Sequence, residues 1–99
     1  MDEGDPQLEK DIRSVLDIET KKKGLEYHEL KYRSTGISLW VEFHLLFPED
    51  SPLRDAHWAA TEIEAALQEV LPHPSTIISH LEPVAEHDAT HRDLRAEHR

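Results

Sequence analysis

Eight histidines and no cysteine set the chemistry open to this 99-residue chain. His44 sits in Val41-Glu42-Phe43-His44-Leu45, and His80 stands two residues before Glu82 in Ile78-Ser79-His80-Leu81-Glu82-Pro83. His28 lies in Tyr27-His28-Glu29-Leu30, and His57 follows Asp55-Ala56. Imidazole nitrogen and carboxylate oxygen are the ligands that a divalent ion such as Zn2+ accepts when thiolate is absent. Residues two apart on a strand project side by side, so His80 and Glu82 can act together. Each signal is weak alone. A single strand histidine is more often hydrogen-bonded or solvated than ligating, and His-x-Glu recurs by chance. His57 by itself is a helix-face histidine, and Glu42 a solvated strand residue.

The pattern that must hold these groups is the stretch carrying His44. Ile37, Leu39, Val41, Phe43, Leu45 and Phe47 fall on every second position, the period of a strand with one buried face. Its other face carries Ser38, Trp40, Glu42, His44 and Leu46. Upstream, Tyr27 to Arg33 reads as a shorter strand, with His28, Leu30 and Tyr32 on one side and Glu29, Lys31 and Arg33 on the other. Ser34-Thr35-Gly36 supplies a tight turn, so 26–47 forms an antiparallel hairpin. Asp5-Pro6 opens a first helix over about 6–22, with Leu8, Ile12, Val15 and Leu16 on one face and Gly24 as its stop. A second helix spans about 52–71, capped by Asp50 or Ser51 and ended by Pro72 and Pro74. Thr76 to Glu82 is the last strand, with Thr76, Ile78, His80 and Glu82 facing one way. The order αββαβ predicts an α+β fold: an open-faced sandwich, ferredoxin-like (metallochaperone-like), with a three-stranded sheet and two helices on one face. The other face, with Trp40 and His44, is left to solvent or to a partner.

The whole reads as one small domain over 1–83, followed by a polar, flexible tail over 84–99. His87 and His91 are four apart in that tail and would meet on a helix as a secondary clamp, although a solvated tail is the preferred reading. The formal charge is −10, from 21 acidic and 11 basic residues. That opposes nucleic acid, whose phosphates would be repelled, and equally opposes anionic lipid headgroups. No apolar run approaches the ~20 residues needed to span a bilayer. Met1-Asp2-Glu3-Gly4-Asp5 has neither the basic start nor the apolar stretch of a signal peptide. The expectation is a soluble, intracellular chain.

Taken together, Gly24-Leu25-Glu26-Tyr27-His28-Glu29-Leu30-Lys31, Val41-Glu42-Phe43-His44-Leu45, Asp55-Ala56-His57 and Ile78-Ser79-His80-Leu81-Glu82-Pro83 resemble the C-terminal cytoplasmic domain of the cation diffusion facilitator family. These are proton-coupled transporters of zinc and other divalent metals. The resemblance runs from about Met1 to Pro83, and Met1-Asp2-Glu3 is similar to the segment after the family's last membrane helix. It implies a homodimer on the cytoplasmic side of the membrane, attached in the full transporter to a membrane domain that this sequence lacks. It also implies a metal site near the dimer interface, with His28, His44, His57 and His80 as imidazole ligands and Glu82 as a carboxylate able to bridge two ions. Some relatives carry Asp where Glu82 stands. This chain alone is expected to transport nothing.

Two tetrahedral zinc ions offer about eight positions, and four imidazoles with one bridging carboxylate fill about six. The remainder is left to water or a partner side chain, which favours exchange. Two subunits at −10 each repel one another. Metal should relieve that repulsion and draw the dimer together, and in the family such closure is thought to promote transport. Neutral imidazole is required for ligation, so binding should weaken as pH falls through ~6.5. Zn2+ is the expected ion, with Cd2+, Co2+, Ni2+, Mn2+ and Fe2+ as alternatives for such an N/O site. The competing reading is a metal-independent interaction module that dimerises through Trp40, with incidental histidines. A hydrolytic zinc enzyme lacks a second general-base motif, so no catalysis is expected.

Overall fold

The computed structural model describes residues 5–72 and 74–84, and the αββαβ order is present within them. His73 and the tail histidines His87, His91 and His98 lie outside the described residues. Helix α1 covers Pro6–Lys23, strand β1 Glu26–Ser34, strand β2 Leu39–Phe47, helix α2 Leu53–Val70 and strand β3 Ser75–Pro83. No helix among the described residues is long and apolar enough to cross a membrane.

The first helix starts and stops as its sequence requires. The Asp5 carboxylate accepts from the backbone N–H groups of Gln7 (3.0 Å) and Leu8 (3.3 Å), with Pro6 in the first turn. Gly24 ends the helix at φ +69°, a conformation glycine enters without a Cβ clash. The second helix differs from expectation at its start. Pro52, in extended conformation, occupies the cap position, and no side chain caps the helix. Because Pro52 is itself extended (ψ 142°), the helix begins only at Leu53, which leaves Ser51 and Asp50 one and two positions too early to cap.

Strand β2 lies in the middle of the sheet, antiparallel to β1 and parallel to β3. A parallel neighbour needs a crossover, and α2 supplies it. The helices and the odd-numbered side chains of β2 enclose one core. Ile12 and Leu16 of α1, Val41, Phe43 and Leu45 of β2, and Ile63 and Leu67 of α2 are all fully buried. Each such burial is worth roughly 1.5–3 kcal/mol. The predicted alternation therefore holds from Leu39 to Leu45; Leu46, on the other face, is buried as well, and Ile37 is 81% exposed. Ile37 belongs to the turn: Thr35 N–H donates to Ser38 O (2.9 Å), and Gly36 takes φ +95°. The reversal therefore runs to Ser38 rather than closing at Gly36, and β2 begins two residues later than its periodicity alone implies.

Strand β1 contains a larger departure. Lys31 pairs with Glu42, but His28 pairs with His44, so Glu29 and Leu30 together face Phe43. That is a β-bulge, and Glu29 within it is the one described non-glycine residue at positive φ (+55°). His28 therefore does not share a side with Leu30 and Tyr32, as strict alternation predicted. Leu30, Tyr27 and Tyr32 pack against the core, while His28 stands on the open face.

Candidate metal centre

The bulge builds the site. Had the register at Lys31 and Glu42 continued unbroken, Glu29 would oppose His44, and His28 would oppose Leu45 on the helix-covered face. The extra residue moves His28 across the sheet. His28, His44 and His80 then occupy one rung through all three strands: His28 pairs with His44, and His44 with His80. Their rings lie close, with centroids 5.2 Å apart for His28 and His44 and 4.8 Å apart for His44 and His80.

Glu82, two residues along β3, reaches back over this rung. Its Oε1 lies 3.4 Å from His28 Nε2, and its Oε2 lies 2.5 Å from His44 Nδ1. Partial burial pushes the Glu82 carboxyl up, but hydrogen bonding to His44 and then His28, with the attraction of both rings, outweighs that and leaves it below the ordinary glutamate value. Glu82 is thus an anion at neutral pH, held against two imidazoles.

Those three groups meet the first requirement of a metal site. His28, His44 and Glu82 each offer a ligand atom, all within 4.8 Å of one another. Ligand atoms on a tetrahedral Zn2+ stand on the order of 3.3 Å apart, from bond lengths of about 2.0–2.2 Å. The His28–Glu82 separation of 3.4 Å already matches that, and the 2.5 Å His44–Glu82 contact has to open by less than about 1 Å. Two nitrogens and one oxygen leave a fourth position for water or another side chain.

The remaining predicted residues are placed differently. His80 adjoins the cluster, but its Nε2 lies 2.5 Å from Glu42 Oε2. Glu42 is thus the partner of His80 rather than an idle strand carboxylate. His57 stands exposed on α2, which packs on the opposite side of the sheet from His44, and it is not in the three-residue group. Glu29 is a further addition. Its Oε1 lies 3.5 Å from His44 Nε2 and its Oε2 lies 3.6 Å from His28 Nδ1. Left-handed backbone at a non-glycine residue costs on the order of 1–2 kcal/mol and persists only where its surroundings impose it. A signal for the bulge existed in the sequence: Tyr27, Leu30 and Tyr32 are spaced three then two apart, one residue more than an unbroken strand allows. Farther along the same face, the Arg33 guanidinium carbon lies 5.9 Å from the centre of the half-buried Trp40 ring.

Comparison with known proteins identifies the family and the fold. The family described as "Cation efflux protein, cytoplasmic domain" matches residues 5–84. The cation-efflux pump FieF of Salmonella typhimurium is 31% identical over 72 residues, covering 72% of this chain and 24% of that protein. The chain thus spans about a quarter of the length of the curated relatives it matches. Among solved structures, the zinc form of the putative zinc transporter CzrB is 35% identical with a TM-score of 0.74, covering 87% of this chain and 97% of that one. The metal-bound C-terminal domain of the CzcD transporter from Thermotoga maritima has a TM-score of 0.70 at 19% identity, over 85% of this chain and 95% of that one, a likeness of fold alone. The chain belongs to the family of cation efflux protein cytoplasmic domains.

Proposed function

Starting from that membership, we propose that the chain is the regulatory cytosolic domain of a divalent-cation efflux transporter. It binds metal on the open face of its sheet, dimerises, and by closing the dimer promotes transport by a membrane domain. The observation that carries this reading is the single rung of His28, His44 and His80 with Glu82 folded over it. His28, His44 and Glu82 hold one ion. His80 extends the site toward a second, and His57, exposed on α2, supplies its imidazole from a second copy of the chain. The metal is Zn2+, as in the solved zinc form of CzrB. The dimer surface includes Trp40, which shares the metal face of β2.

Charge links these parts. Each chain carries −10 overall, and Glu29, Glu42 and Glu82 surround the three imidazoles. Divalent ions neutralise this face and make close approach of two copies more favourable. Metal favours the closed arrangement only as far as it binds that arrangement better.

Calorimetry with Zn2+ on the wild-type chain and on His44→Ala and His80→Ala tests the site. Small-angle scattering of the same samples tests the closure. Absence of zinc binding, or binding unchanged in both variants, refutes the metal reading and leaves the metal-independent interaction module. Saturable binding with an unchanged dimer shape removes the switch alone.

A further inference from the structure

Every imidazole has two nitrogens, and in this site both are spoken for on two of the rings. Glu82 faces Nε2 of His28 and Nδ1 of His44, at 3.4 and 2.5 Å. Glu29 faces the opposite nitrogens, Nδ1 of His28 and Nε2 of His44, at 3.6 and 3.5 Å. Two carboxylates therefore bracket the same pair of rings from opposite sides. Histidines that ligate metal usually donate their other N–H to a carboxylate, which fixes the tautomer and the ring orientation.

We infer that Glu29 is the positioning carboxylate of the site, receiving the outer N–H groups of His28 and His44 when metal occupies their inner nitrogens beside Glu82. This rests on the metal reading proposed above. A neutral imidazole carries one ring hydrogen. A metal ion needs a bare ring nitrogen, so a neutral imidazole that ligates beside Glu82 carries its one hydrogen on the outer nitrogen. On His44 that nitrogen is Nε2 and on His28 it is Nδ1, and Glu29 faces both. Both Glu29 separations are longer than a good hydrogen bond, and its side chain is 55% exposed. The metal side is assigned to Glu82 because Glu82 is nearer to both rings and less exposed, at 30%.

The bulge is what makes this possible. In an unbroken strand, neighbouring residues point to opposite faces, and His28 and Glu29 could not serve one site. The left-handed backbone at Glu29 brings both to the open face.

The test uses the 99-residue chain with Zn2+ as the probe, comparing wild type, Glu29→Gln and Glu29→Gly. Glycine suits φ +55°, so Glu29→Gly keeps or raises the metal-free melting temperature and separates this role from folding. Both variants are expected to lose about 10- to 100-fold in zinc affinity. In wild type, imidazole nitrogen NMR should show zinc on Nε2 of His28 and Nδ1 of His44, with slowly exchanging hydrogens on the outer nitrogens. In the variants those hydrogens should exchange fast. Unchanged affinity in Glu29→Gly, or zinc on the outer nitrogens, overturns the inference while leaving the metal site standing. Zinc that leaves His28 and His44 signals of wild type unperturbed overturns the metal reading itself.

Discussion

Replacing His44 by alanine should uncouple zinc from the stability of the domain. The His44 ring occupies the centre of the rung, with its Nδ1 2.5 Å from Glu82 and the His28 and His80 rings on either side. Glu82 is 38 residues from His44 and 54 from His28 in the chain. An unfolded chain must close both loops before these ligands meet, so it binds zinc far more weakly than the fold does. The binding energy therefore adds to folding stability. At free zinc 100-fold above the dissociation constant the gain is about 2.7 kcal/mol. For a domain of this size each kcal/mol moves the melting temperature by about 4–8 °C, so wild type should rise by about 11–22 °C. Loss of a ligand should weaken binding by at least the ~100-fold that loss of an outer partner can reach. At the same zinc concentration the gain then falls to about 0.4 kcal/mol, or about 2–3 °C. Calorimetric melts near neutral pH, with and without zinc and with a chelator control, measure both shifts. A His44→Ala protein that gains as much from zinc as wild type would refute the reasoning, because the rung would then not be where the metal sits.

Three further outcomes follow from the same geometry. His57→Ala should leave zinc affinity unchanged in dilute, monomeric protein and weaken it where the chain dimerises, read by titrations at two protein concentrations; equal loss at both would place His57 in its own chain's site. Glu82 has a lowered carboxyl pKa in the fold, so its contribution to metal-free stability is present above the unfolded value near ~4.3 and is lost as pH falls through its lower folded value. Urea melts should therefore show wild type and Glu82→Gln converging between about pH 5 and pH 3; a gap that stays constant across that range would count against the pairing. Phe43→Ala, which empties a fully buried position in the core, should cost about 3–5 kcal/mol of metal-free stability by the same measurement, and a loss below about 1 kcal/mol would mean the core is misassigned.

The elements were legible because each carried a periodic signal tied to burial. Leu39 to Leu45 alternates because one face of β2 is sealed by helices, and Ile12 and Leu16 recur at helical spacing for the same reason. Where the signal failed, a local constraint overrode it. Ile37 continues the period of β2 but lies in the turn with Gly36. Proline at position 52 took the cap position from the polar residues before it. The site was legible residue by residue only in part. His44, His80 and Glu82 share a face by simple parity, but the place of His28 depends on a bulge that parity cannot express. Glu29 and Glu42 were missed for a related reason. Each looks like an ordinary exposed strand carboxylate until the cross-strand register puts it beside an imidazole.

That the two faces of the sheet do different work bears on what the metal can do. The core cluster lies on the helix side, where apolar residues from β2 and both helices are buried and none of the candidate ligands takes part. A domain with such a core is expected to fold without metal, unlike small zinc modules whose binding energy is their folding energy. Metal bound on the open face, as proposed, would instead act on what remains adjustable. His28 and Glu82 lie on β1 and β3, the two edge strands, so an ion shared between them ties the edges of the sheet across β2. The surface affected is the one that also carries Trp40, the proposed meeting place of two copies. Raising the closed form from one part in a hundred to ninety-nine in a hundred requires about 10^4-fold tighter metal binding by the closed than by the open form. A site completed within one chain would bind both forms alike and switch nothing. A site that holds three ligands in its own chain and takes an imidazole from a second copy binds the closed form better, which is the differential a switch requires.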